Sequence, residues 1–402
     1  MDRPLEGKHI VLGISGGIAA YKSAYLLRLF IKAGAEVQVV STPNGKEFIT
    51  PATLAALSGK PVVSEFFAAN TGEWHSHVDL GLWSDLMVVA PATASTIAKM
   101  ANGVADNMLI TTYLSSKSDV MVAPAMDLDM WAHPSTQRNV ETLRRDGVAI
   151  VEPASGELAS HLTGKGRMEE PEGILRRVVE YFAKKESLAG KKVLVTAGPT
   201  YENLDPVRFI GNYSSGKMGF AIAEEAAARG AEVVLVSGPV SLDVSHPGIR
   251  RIDVRSAREM LDAVEKEYES IDVAVLAAAV ADYAPEACSD TKIKRENTGD
   301  MTLRLVKNPD IAATLGEKKG NRILVGFALE TDHEKENALG KMKRKSLDMI
   351  VLNSLRNPMA GFNKETNQVT VIKADGSEKD YPAKSKKDVA SDIIDNIEEL
   401  LN

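Results

Sequence analysis

A strand–turn–helix–strand unit that occurs twice constrains the fold of this 402-residue chain more than any other feature. The first copy has apolar strands at residues 9–14 and 36–42, and the second has them at residues 192–198 and 232–238. Near-continuous apolar strands are typical of a parallel sheet covered on both faces, and the segments between them repeat apolar residues at helical spacing. The sequence therefore predicts an α/β fold with two doubly wound parallel-sheet domains.

The length of the chain agrees with two domains, because it exceeds what one hydrophobic core usually organises. The first pattern stops near Lys185 and the second starts near Gly190, so we expect a short joint and domains spanning residues 1–188 and 189–402. A hairpin is predicted around Asp375-Gly376, and a last helix at residues 386–401. Further strands are predicted at residues 86–90, 120–123, 148–151, 273–277, 323–326 and 349–352.

The composition excludes several classes of protein. Hydrophobic residues make up 44% of the chain, but no apolar run reaches membrane-spanning length. The net charge of −7 argues against broad nucleic-acid binding, and the single cysteine, Cys288, excludes an internal disulfide or a multi-cysteine metal site. Since the N-terminus also lacks the features of an export signal, we expect a cytoplasmic protein that binds neither nucleic acid nor membrane.

Polar turns follow three strands of the first half. Residues 13–17 form a glycine-rich turn between a strand and a helix, where free N–H groups and the helix dipole favour a phosphate. Taken alone, this turn fits a tight backbone turn equally well. Ser41-Thr42 and residues 90–96 also follow strands, and open α/β sheets bind ligands at the carboxyl ends of their strands. We therefore expect the three turns to share one edge of the sheet.

Two histidines, His75 and His77, precede the third strand. A histidine in this position is more often structural than catalytic, although it exchanges protons near neutral pH. The pattern H-x-x-L-x-x-W-S-D that starts at His77 changes that interpretation, because with it the first half resembles the flavin-containing cysteine decarboxylase family. The resemblance extends through the motifs Ala90-Pro91-Ala92-Thr93-Ala94, Ala101-Asn102-Gly103, Pro124-Ala125-Met126 and Gly164-Lys165-Gly166-Arg167-Met168.

This resemblance implies a flavodoxin-like flavoprotein domain that holds FMN, with its phosphate at the first turn, and that uses His77 in catalysis. In the family, the flavin takes a hydride equivalent from the cysteine side chain of the substrate. The resulting thioaldehyde makes loss of the carboxylate feasible, and the reduced flavin then restores the thiol product. The residues implied in FMN binding are Gly13, Ser15, Gly16, Gly17, Ser41, Thr42, Ala90, Ala92, Thr93 and Asn102.

Three candidate catalytic residues lie where the sequence departs from the family pattern. Asp127 replaces an asparagine that donates to the substrate carboxylate, and it would repel that carboxylate unless protonated or paired. Ser160 aligns with a proton-donating cysteine but is a far weaker acid. The adjacent His161 carries an imidazole, a type of side chain that can exchange protons near neutral pH, so we predict that it donates the proton. The departures leave open an alternative in which this domain binds flavin only as a structural or regulatory module.

In the second half, residues 211–217 satisfy the G-x-x-x-x-G-K pattern of a P-loop. Met218 stands where a P-loop has its magnesium-binding serine or threonine, and no apolar strand is predicted directly before Gly211, so we reject that interpretation. Such a loop still binds phosphate through its backbone, although Ser214 or Ser215 would also serve simply as a helix cap. Neither half carries the dinucleotide fingerprint of a dehydrogenase.

The order of motifs in the second half resembles phosphopantothenate–cysteine ligase. This resemblance implies a Rossmann-like domain that activates 4′-phosphopantothenate with CTP and Mg²⁺ and then joins it to L-cysteine. Activation brings two anions together, which explains the need for lysines. The match runs from Gly190 to the last helix and includes residues 197–200, 205–208, 212–219, 278–283, 292–294, 307–311 and 326–331.

The ligase resemblance also assigns roles to residues. Asn212 would bind the acyl cytidylate intermediate, and Lys292 would contact the reacting phosphate. For Lys341 and Lys345, a solvated helix face is a reasonable alternative. The residues implied in CTP binding are Asp282, Lys292, Pro309, Asp310, Ile311, Ala312, Phe327, Lys341 and Lys345. The whole chain is thus predicted to be a homo-oligomeric, bifunctional enzyme of coenzyme A biosynthesis that decarboxylates its own ligation product to 4′-phosphopantetheine.

Overall fold

The computed structural model describes residues 3–67, 74–294, 301–330, 334–354, 364 and 366–401. The chain divides into two compact units, Met1–Ala183 and Lys184–Asn402, each with its own sheet. Both units are α/β with parallel strands, which confirms the predicted fold class. Among the residues just given, no helix is long and apolar enough to cross a membrane.

The first unit alternates strands and helices along the chain. Its strands are β1 (His9–Ile14), β2 (Glu36–Ser41), β3 (Leu86–Ala92), β4 (Asp119–Pro124), β5 (Ala149–Ile150), β6 (Ala154–Glu157) and β7 (Thr163–Arg167). Its helices are α1 (Tyr21–Lys32), α2 (Pro51–Ser58), α3 (His77–Trp83), α4 (Ala94–Asn102), α5 (Met108–Ser115), α6 (Leu128–Ala132), α7 (Pro134–Arg145) and α8 (Pro171–Lys185). Short 3₁₀ helices occupy Ile18–Ala20 and Pro43–Glu47.

The five main strands of this unit form a parallel sheet in the order β2-β1-β3-β4-β5. This is the flavodoxin-like order, in which ligands bind where the order reverses, here between β1 and β3. Side chains of β1 alternate between the faces of the sheet. Ile10 and Leu12 pack in one core with Phe30 of α1, whereas Val11 packs in another with Ile97 of α4. Burial on both faces explains the continuous apolar strands.

A hairpin of β6 and β7 follows the sheet, and the sequence does not predict it. Its strands read ASGE and TGKGR, without the alternation of apolar residues that marks a half-buried strand. Gly164 of β7 lies so close to α6 that an added Cβ would stand 3.3 Å from Leu128. Residues 158–162 form the tip, where His161 has a left-handed backbone with a φ of 63°.

The second unit repeats the alternation and ends in a helix. Its strands are β8 (Lys192–Ala197), β9 (Tyr201–Asn203), β10 (Phe209–Gly211), β11 (Glu232–Ser237), β12 (Ile249–Asp253), β13 (Val273–Leu276), β14 (Tyr283–Pro285), β15 (Leu305–Lys307), β16 (Ile323–Glu330), β17 (Met349–Ser354), β18 (Thr366–Lys373) and β19 (Glu378–Ser385). Its helices are α9 (Lys217–Ala228), α10 (Ala257–Tyr268), α11 (Ile311–Glu317), α12 (Glu334–Arg344) and α13 (Lys386–Leu401).

The main sheet of the second unit has eight strands in the order β12-β11-β8-β13-β16-β17-β18-β19. The first six strands are parallel and have the Rossmann order, with the reversal between β8 and β13. The last two strands are antiparallel and form the predicted hairpin, in which Gly376 adopts a φ of 89°. The final helix has the predicted bounds.

Two small hairpins, β9–β10 and β14–β15, stand apart from this sheet. The sequence predicts neither of them. A three-residue strand, β10, does lead into Gly211, contrary to the expectation from the sequence. It pairs only with β9, so it is not the central strand that precedes a P-loop. Gly216, with a φ of 76°, precedes α9, and the described contacts include no side-chain hydrogen bond that caps this helix.

A buried arginine ties the last helix to α9. Arg229 is only 2% exposed, and its guanidinium pairs with Glu225 at 2.7 Å, Asp395 at 2.6 Å and Glu398 at 2.7 Å. It also donates to the hydroxyl of Ser391 at 2.9 Å. Burying a charge is costly unless it is paired and hydrogen-bonded, so this side chain holds α13 against the end of α9.

Candidate functional sites

Ser15 links the ends of β1 and β3 at the edge of the first sheet. Its buried hydroxyl donates to the carbonyl of Pro91 at 2.8 Å and accepts from the N–H of Thr93 at 3.0 Å. Thr93 in turn caps α4 by accepting from the N–H of Thr96. The hydrogen bonds bring two of the predicted polar turns together at the reversal of strand order, where this fold binds ligands.

Glycines 16 and 17 allow neighbouring residues to approach the backbone closely at the same edge. A Cβ on Gly16 would stand 2.6 Å from the Cβ of Asn44, and one on Gly17 would stand 3.1 Å from a methyl carbon of Thr93. Gly13 has a different role, because its missing side chain makes room for Leu109 at 2.5 Å inside the core. The cradle formed by Ser15, Gly16 and Gly17 directly precedes the helical segment that starts at Ile18, a position where backbone N–H groups favour a phosphate.

The other predicted FMN-binding residues fall into three places. Ala90 and Ala92 are buried in β3, next to the cradle. Ser41 and Thr42 end β2, where the hydroxyl of Thr42 accepts from Gly45 at 3.1 Å and that of Ser41 donates to the carbonyl of Thr42 at 3.1 Å. Asn102 is the last residue of α4 and donates to Ala98. Since α4 begins beside Thr93, Asn102 lies about 12 Å away along the helix axis.

His77 is the first residue of α3, after the capping hydroxyl of Ser76. Its Nδ1 is buried and makes no hydrogen bond within the described structure. The rings of Phe66 and Trp74 meet the imidazole edge-on, with centroids 6.4 and 5.9 Å away. A buried polar atom without a partner is rare in native proteins, so this nitrogen is available to a ligand.

The tip of the β6–β7 hairpin forms a hydrogen bond with Asp127, which lies between β4 and α6. The hydroxyl of Ser160 donates to the Oδ2 of Asp127 at 2.5 Å, in an exposed position. The other carboxylate oxygen, Oδ1, accepts from the N–H of Asp129 and caps α6. His161 is 90% exposed, and its Nδ1 lies 3.7 Å from a carboxylate oxygen of Glu157. The structure thus brings Ser160 to Asp127, while His161 lies at the solvent-exposed tip.

A cavity of about 870 Å³ opens at the edge of the second sheet, between its glycine-rich loop and the ends of β13 and β16. It is large enough for a nucleotide-sized ligand. The predicted ligase residues that line it are Asn212, Asp282, Pro309, Asp310, Ile311, Ala312, Phe327, Lys341 and Lys345. The cavity therefore collects residues from separate segments of the sequence.

Two polar side chains of this cavity are held by nearby backbone carbonyls. The amide of Asn212 donates to the carbonyls of Ala279 at 3.3 Å and Val280 at 3.0 Å. The ammonium of Lys341 donates to the carbonyl of Phe327 at 2.7 Å. These contacts fix the orientation of the polar groups before a ligand arrives.

Asp310 and Lys345 form an ion pair at the N-terminus of α11. Their side chains meet at 2.7 Å, and the carboxylate also caps the helix by accepting from the N–H of Ala313. Burial acts to raise the pKa of Asp310, but the hydrogen bonds from Lys345 and Ala313 and the charges of Lys345 and Lys341 outweigh it and lower this pKa. The carboxylate of Asp310 is therefore ionised at neutral pH.

Lys292 is the one predicted ligase residue that does not line the cavity among those described. It is exposed, in the segment between Ser289 and Lys294. The family resemblance predicts Lys292 at the reacting phosphate, whereas the structure places it in a segment outside the residues that line the cavity.

The structure adds two asparagines to the cavity, Asn353 and Asn367. The Oδ1 atom of each is buried without a hydrogen-bond partner in the described structure. The amide nitrogen of Asn367 contacts the sulfur of Met218 at 3.4 Å. Asparagine is disfavoured within strands, so its occurrence at the end of β17 and in β18 is the signal that sequence analysis missed.

No group of three or more histidine, cysteine, aspartate or glutamate residues suited to a metal ion occurs in the described part of the chain. Magnesium usually keeps several waters and binds nucleotide phosphates with one or two carboxylates. Asp282 and Asp310 supply two carboxylates among the residues that line the cavity. The cavity thus fits a magnesium ion that enters with a nucleotide.

Each unit matches the sequence model of one protein family. Residues 1–183 match the flavoprotein family. Residues 188–401 match the DNA/pantothenate metabolism flavoprotein C-terminal domain. The two matches together cover almost the whole chain.

Comparison with known proteins finds relatives of similar length. One, named cysteine/cysteine sulfinic acid decarboxylase and from an unknown prokaryotic organism, is 56% identical over 359 residues, which are 88% of this chain and 100% of the relative. The coenzyme A biosynthesis bifunctional protein CoaBC of Bacillus subtilis (strain 168) is 44% identical over 398 residues, 98% of both chains. A solved C-terminal domain of a CoaBC protein is 42% identical and covers 54% of this chain and 98% of its own, with a TM-score of 0.46.

Proposed function

This chain belongs to the family of coenzyme A biosynthesis bifunctional proteins, and we propose that its two units hold the decarboxylase and ligase sites, respectively. The chain is a bifunctional enzyme of coenzyme A biosynthesis with both activities. The proposed decarboxylase domain spans residues 1–188, and the proposed ligase domain spans residues 189–402.

In the ligase unit, we propose that CTP activates 4′-phosphopantothenate to an acyl cytidylate with release of pyrophosphate, and that the amine of L-cysteine then displaces CMP. The observation that carries this proposal is the cavity lined by nine of the predicted residues. Lys341 and Lys345 supply positive charge against the nucleotide phosphates, and the amide of Asn212 offers a neutral hydrogen-bonding group. Mg²⁺ would enter with the triphosphate and meet the carboxylates of Asp282 and Asp310.

In the decarboxylase unit, FMN would be held at the edge of the first sheet, with its phosphate in the cradle of Ser15, Gly16 and Gly17. The position of this turn between β1 and the helical segment that starts at Ile18, and the hydrogen bonds of Ser15 to the turn after β3, support this placement. When bound, FMN supplies the redox chemistry that makes decarboxylation of a cysteine derivative feasible. The unpartnered Nδ1 of His77 is the group of this unit best suited to move a proton.

One experiment tests both proposed activities. Purified protein is given 4′-phosphopantothenate, L-cysteine, CTP and Mg²⁺, and carbon dioxide and pyrophosphate are measured separately. We expect both, with CTP preferred over ATP, and a yellow protein that releases FMN on denaturation. Pyrophosphate without carbon dioxide would favour a flavin-binding module beside an active ligase, and equal use of ATP would contradict the nucleotide assignment.

A second candidate substrate for the first unit is a free amino acid. The relative at 56% identity is named for cysteine and cysteine sulfinic acid, and Asp127 pairs with no cation among the described residues. A carboxylate at this position binds the ammonium group of a free amino acid better than it binds the amide nitrogen of 4′-phosphopantothenoylcysteine. Comparing kcat/KM for L-cysteine, L-cysteine sulfinate and 4′-phosphopantothenoylcysteine decides between the two substrates, and a higher value for a free amino acid would favour this candidate.

We also propose that the protein is a cytoplasmic homo-oligomer. Apolar side chains of the two small hairpins, which contact each other through β9 and β14, are 40 to 60% exposed, and a contiguous apolar patch is typical of an interaction surface. They are Val207, Phe209, Tyr283, Leu305 and Val306. Light scattering of the purified protein should give a mass well above that of one chain, and replacement of Phe209 with serine should lower that mass.

A further inference from the structure

Asp205 is a buried carboxylate in the turn between β9 and β10, with 1% of its surface exposed. Its Oδ1 accepts from the N–H groups of Val207 and Arg208, both at 2.8 Å. Its Oδ2 accepts from the Nε of Arg208 at 2.9 Å, the Nη2 of Arg208 at 2.6 Å and the N–H of Ile293 at 3.1 Å. Five donors therefore converge on one carboxylate, and the last of them comes from a distant part of the sequence.

Both backbone groups of Ile293 are held by this turn. Its N–H donates to Asp205, and its carbonyl accepts from the Nη2 of Arg208 at 2.5 Å. Earlier in the same segment, the N–H of Ser289 donates to the carbonyl of Leu204 at 2.9 Å. The turn thus fixes the segment at two points, and Lys292 lies between them.

The charge of Asp205 strengthens these contacts. Burial acts to raise the pKa of Asp205, but the hydrogen bonds from Val207, Arg208 and Ile293 outweigh it and hold this pKa below the usual range. The group is therefore ionised at neutral pH, and hydrogen bonds to an ionised acceptor are stronger than those between neutral groups.

The hairpin that carries Asp205 also leads into the cavity. Strand β10 ends at Gly211, and the next residue, Asn212, lines the cavity and donates to the carbonyls of Ala279 and Val280. One short hairpin therefore connects the edge of the cavity to the segment that bears Lys292.

We propose that Asp205 is a positioning residue of the ligase, which fixes the Lys292 segment relative to the cavity by holding the backbone of Ile293. This inference rests on the proposed role of Lys292 in the ligase reaction. Asp205 need not touch the substrate, because its effect passes through the position of Lys292.

The conservative change Asp205→Asn tests the hydrogen bonds that hold the backbone of Ile293 without removing side-chain volume. Whichever way the new amide turns, its NH₂ group faces donors: Ile293 and Arg208 on one side, or Val207 and Arg208 on the other. Glu202→Gln is the matched control. Glu202 is also buried in this hairpin and accepts from a backbone N–H at 2.9 Å, but that N–H belongs to Ala257 at the start of α10.

In the full-length protein we expect Asp205→Asn to slow pyrophosphate release by roughly 10- to 100-fold, mainly through kcat, because a small displacement of a group that acts on the reaction is costly. Glu202→Gln should stay within about twofold, and both variants should release carbon dioxide normally from added 4′-phosphopantothenoylcysteine. Trypsin cleavage after Lys292 and Lys294 should accelerate only in Asp205→Asn, because the segment is released. Equal losses in the two variants would overturn the inference.

A double-mutant cycle with Lys292→Gln separates the inference from the function on which it rests. If Asp205 acts through Lys292, Asp205→Asn should cause little further loss in the Lys292→Gln background. The same fold-loss in both backgrounds would indicate a general defect and overturn the positioning role. If Lys292→Gln itself does not change the rate of pyrophosphate release, the proposed role of Lys292 is wrong, and so is the inference that rests on it. If Lys292→Gln is inactive while Asp205→Asn is unimpaired, only the present inference fails.

Discussion

The edge of the first sheet presents hydroxyls and backbone groups, whereas the corresponding edge of the second sheet presents charges. In the first unit, Ser15 and the N–H of Thr93 hydrogen-bond between the turns after β1 and β3, and the buried Nδ1 of His77 has no partner within the described structure. In the second, the charge of Lys345 is held by Asp310 in the lining of the cavity. Both edges follow from the same local strand–turn–helix unit, so topology alone does not determine what an edge binds.

The difference matches the ligands proposed for the two sites, a cofactor that stays bound in the first unit and a substrate that binds and leaves in the second. A neutral cradle of backbone and hydroxyl groups requires no exchange of charge partners, which suits a resident cofactor such as FMN. Lys345, which pairs with Asp310, would exchange this carboxylate for a phosphate each time a nucleotide binds and would regain it each time the nucleotide leaves. Such an exchange suits a substrate. The comparison predicts that the first unit depends on its histidines for proton movement, and the second on its lysines.

The largest effect is expected for His77→Asn in the first unit. Asparagine cannot exchange a proton near neutral pH, so carbon dioxide release should fall by about 10³-fold, within the range for loss of a general acid or base. Pyrophosphate release should continue. His75→Asn is the control, because His75 lies in the same segment without a place in the family motif, and it should retain most of the decarboxylase activity. Equal loss of both activities in His77→Asn would contradict two separate sites.

The second largest effect is expected for Lys292→Gln in the second unit. Removal of a positive group that faces developing phosphate charge should slow pyrophosphate release by about 10² or more, while carbon dioxide release from added 4′-phosphopantothenoylcysteine is unchanged. Lys294→Gln controls for loss of an exposed charge in the same segment. If the two variants retain equal ligase activity, Lys292 belongs to the solvated surface.

A smaller effect is expected at the hairpin tip of the first unit. We predict that His161→Ala slows formation of the saturated thiol product by about tenfold, and more than Ser160→Ala does, because imidazole is the stronger acid at neutral pH. Carbon dioxide release should continue in both. Mass spectrometry of a single turnover distinguishes the saturated thiol from its enethiol. A larger defect in Ser160→Ala would instead assign the role to the hydroxyl that contacts Asp127.

Local sequence patterns predict those parts of the molecule whose structure depends on a few neighbouring residues. The strands β1 and β8 are apolar on both faces, and the hairpin at Gly376 has its Asp-Gly turn, so each follows from a few neighbouring residues. The cavity residues of the ligase, such as Phe327 and Lys345, were predicted from resemblance, and the structure brings them together.

Features that depend on distant partners were not predicted. The β6–β7 hairpin has no apolar alternation, and its Gly164 packs against α6 instead of a sheet. The bond from Ile293 to Asp205 spans 88 positions, and no local pattern encodes it. Asn353 becomes a cavity residue only because β17 ends beside the cavity.

The smallest effect is expected at the ion pair of Asp310 and Lys345, and its pH dependence tests the charged character of the second edge. In Asp310→Asn the new side chain still caps α11, since asparagine is as good an N-cap as aspartate, so the variant removes the charge and little else. The pair is partly exposed, with side-chain exposures of 49% and 19%, and should add about 1 kcal/mol or less at neutral pH. Because the folded pKa of Asp310 lies below its ordinary value of 3.8, this contribution is fully present above that value and is lost as the pH falls through the lowered one. Urea unfolding of both proteins, measured from pH 7 to acid, should show a small advantage of the wild type that vanishes in acid and shrinks in salt. An advantage that persists unchanged at low pH would mean that the aspartate stabilises α11 by its shape, and that the second edge does not depend on its charge.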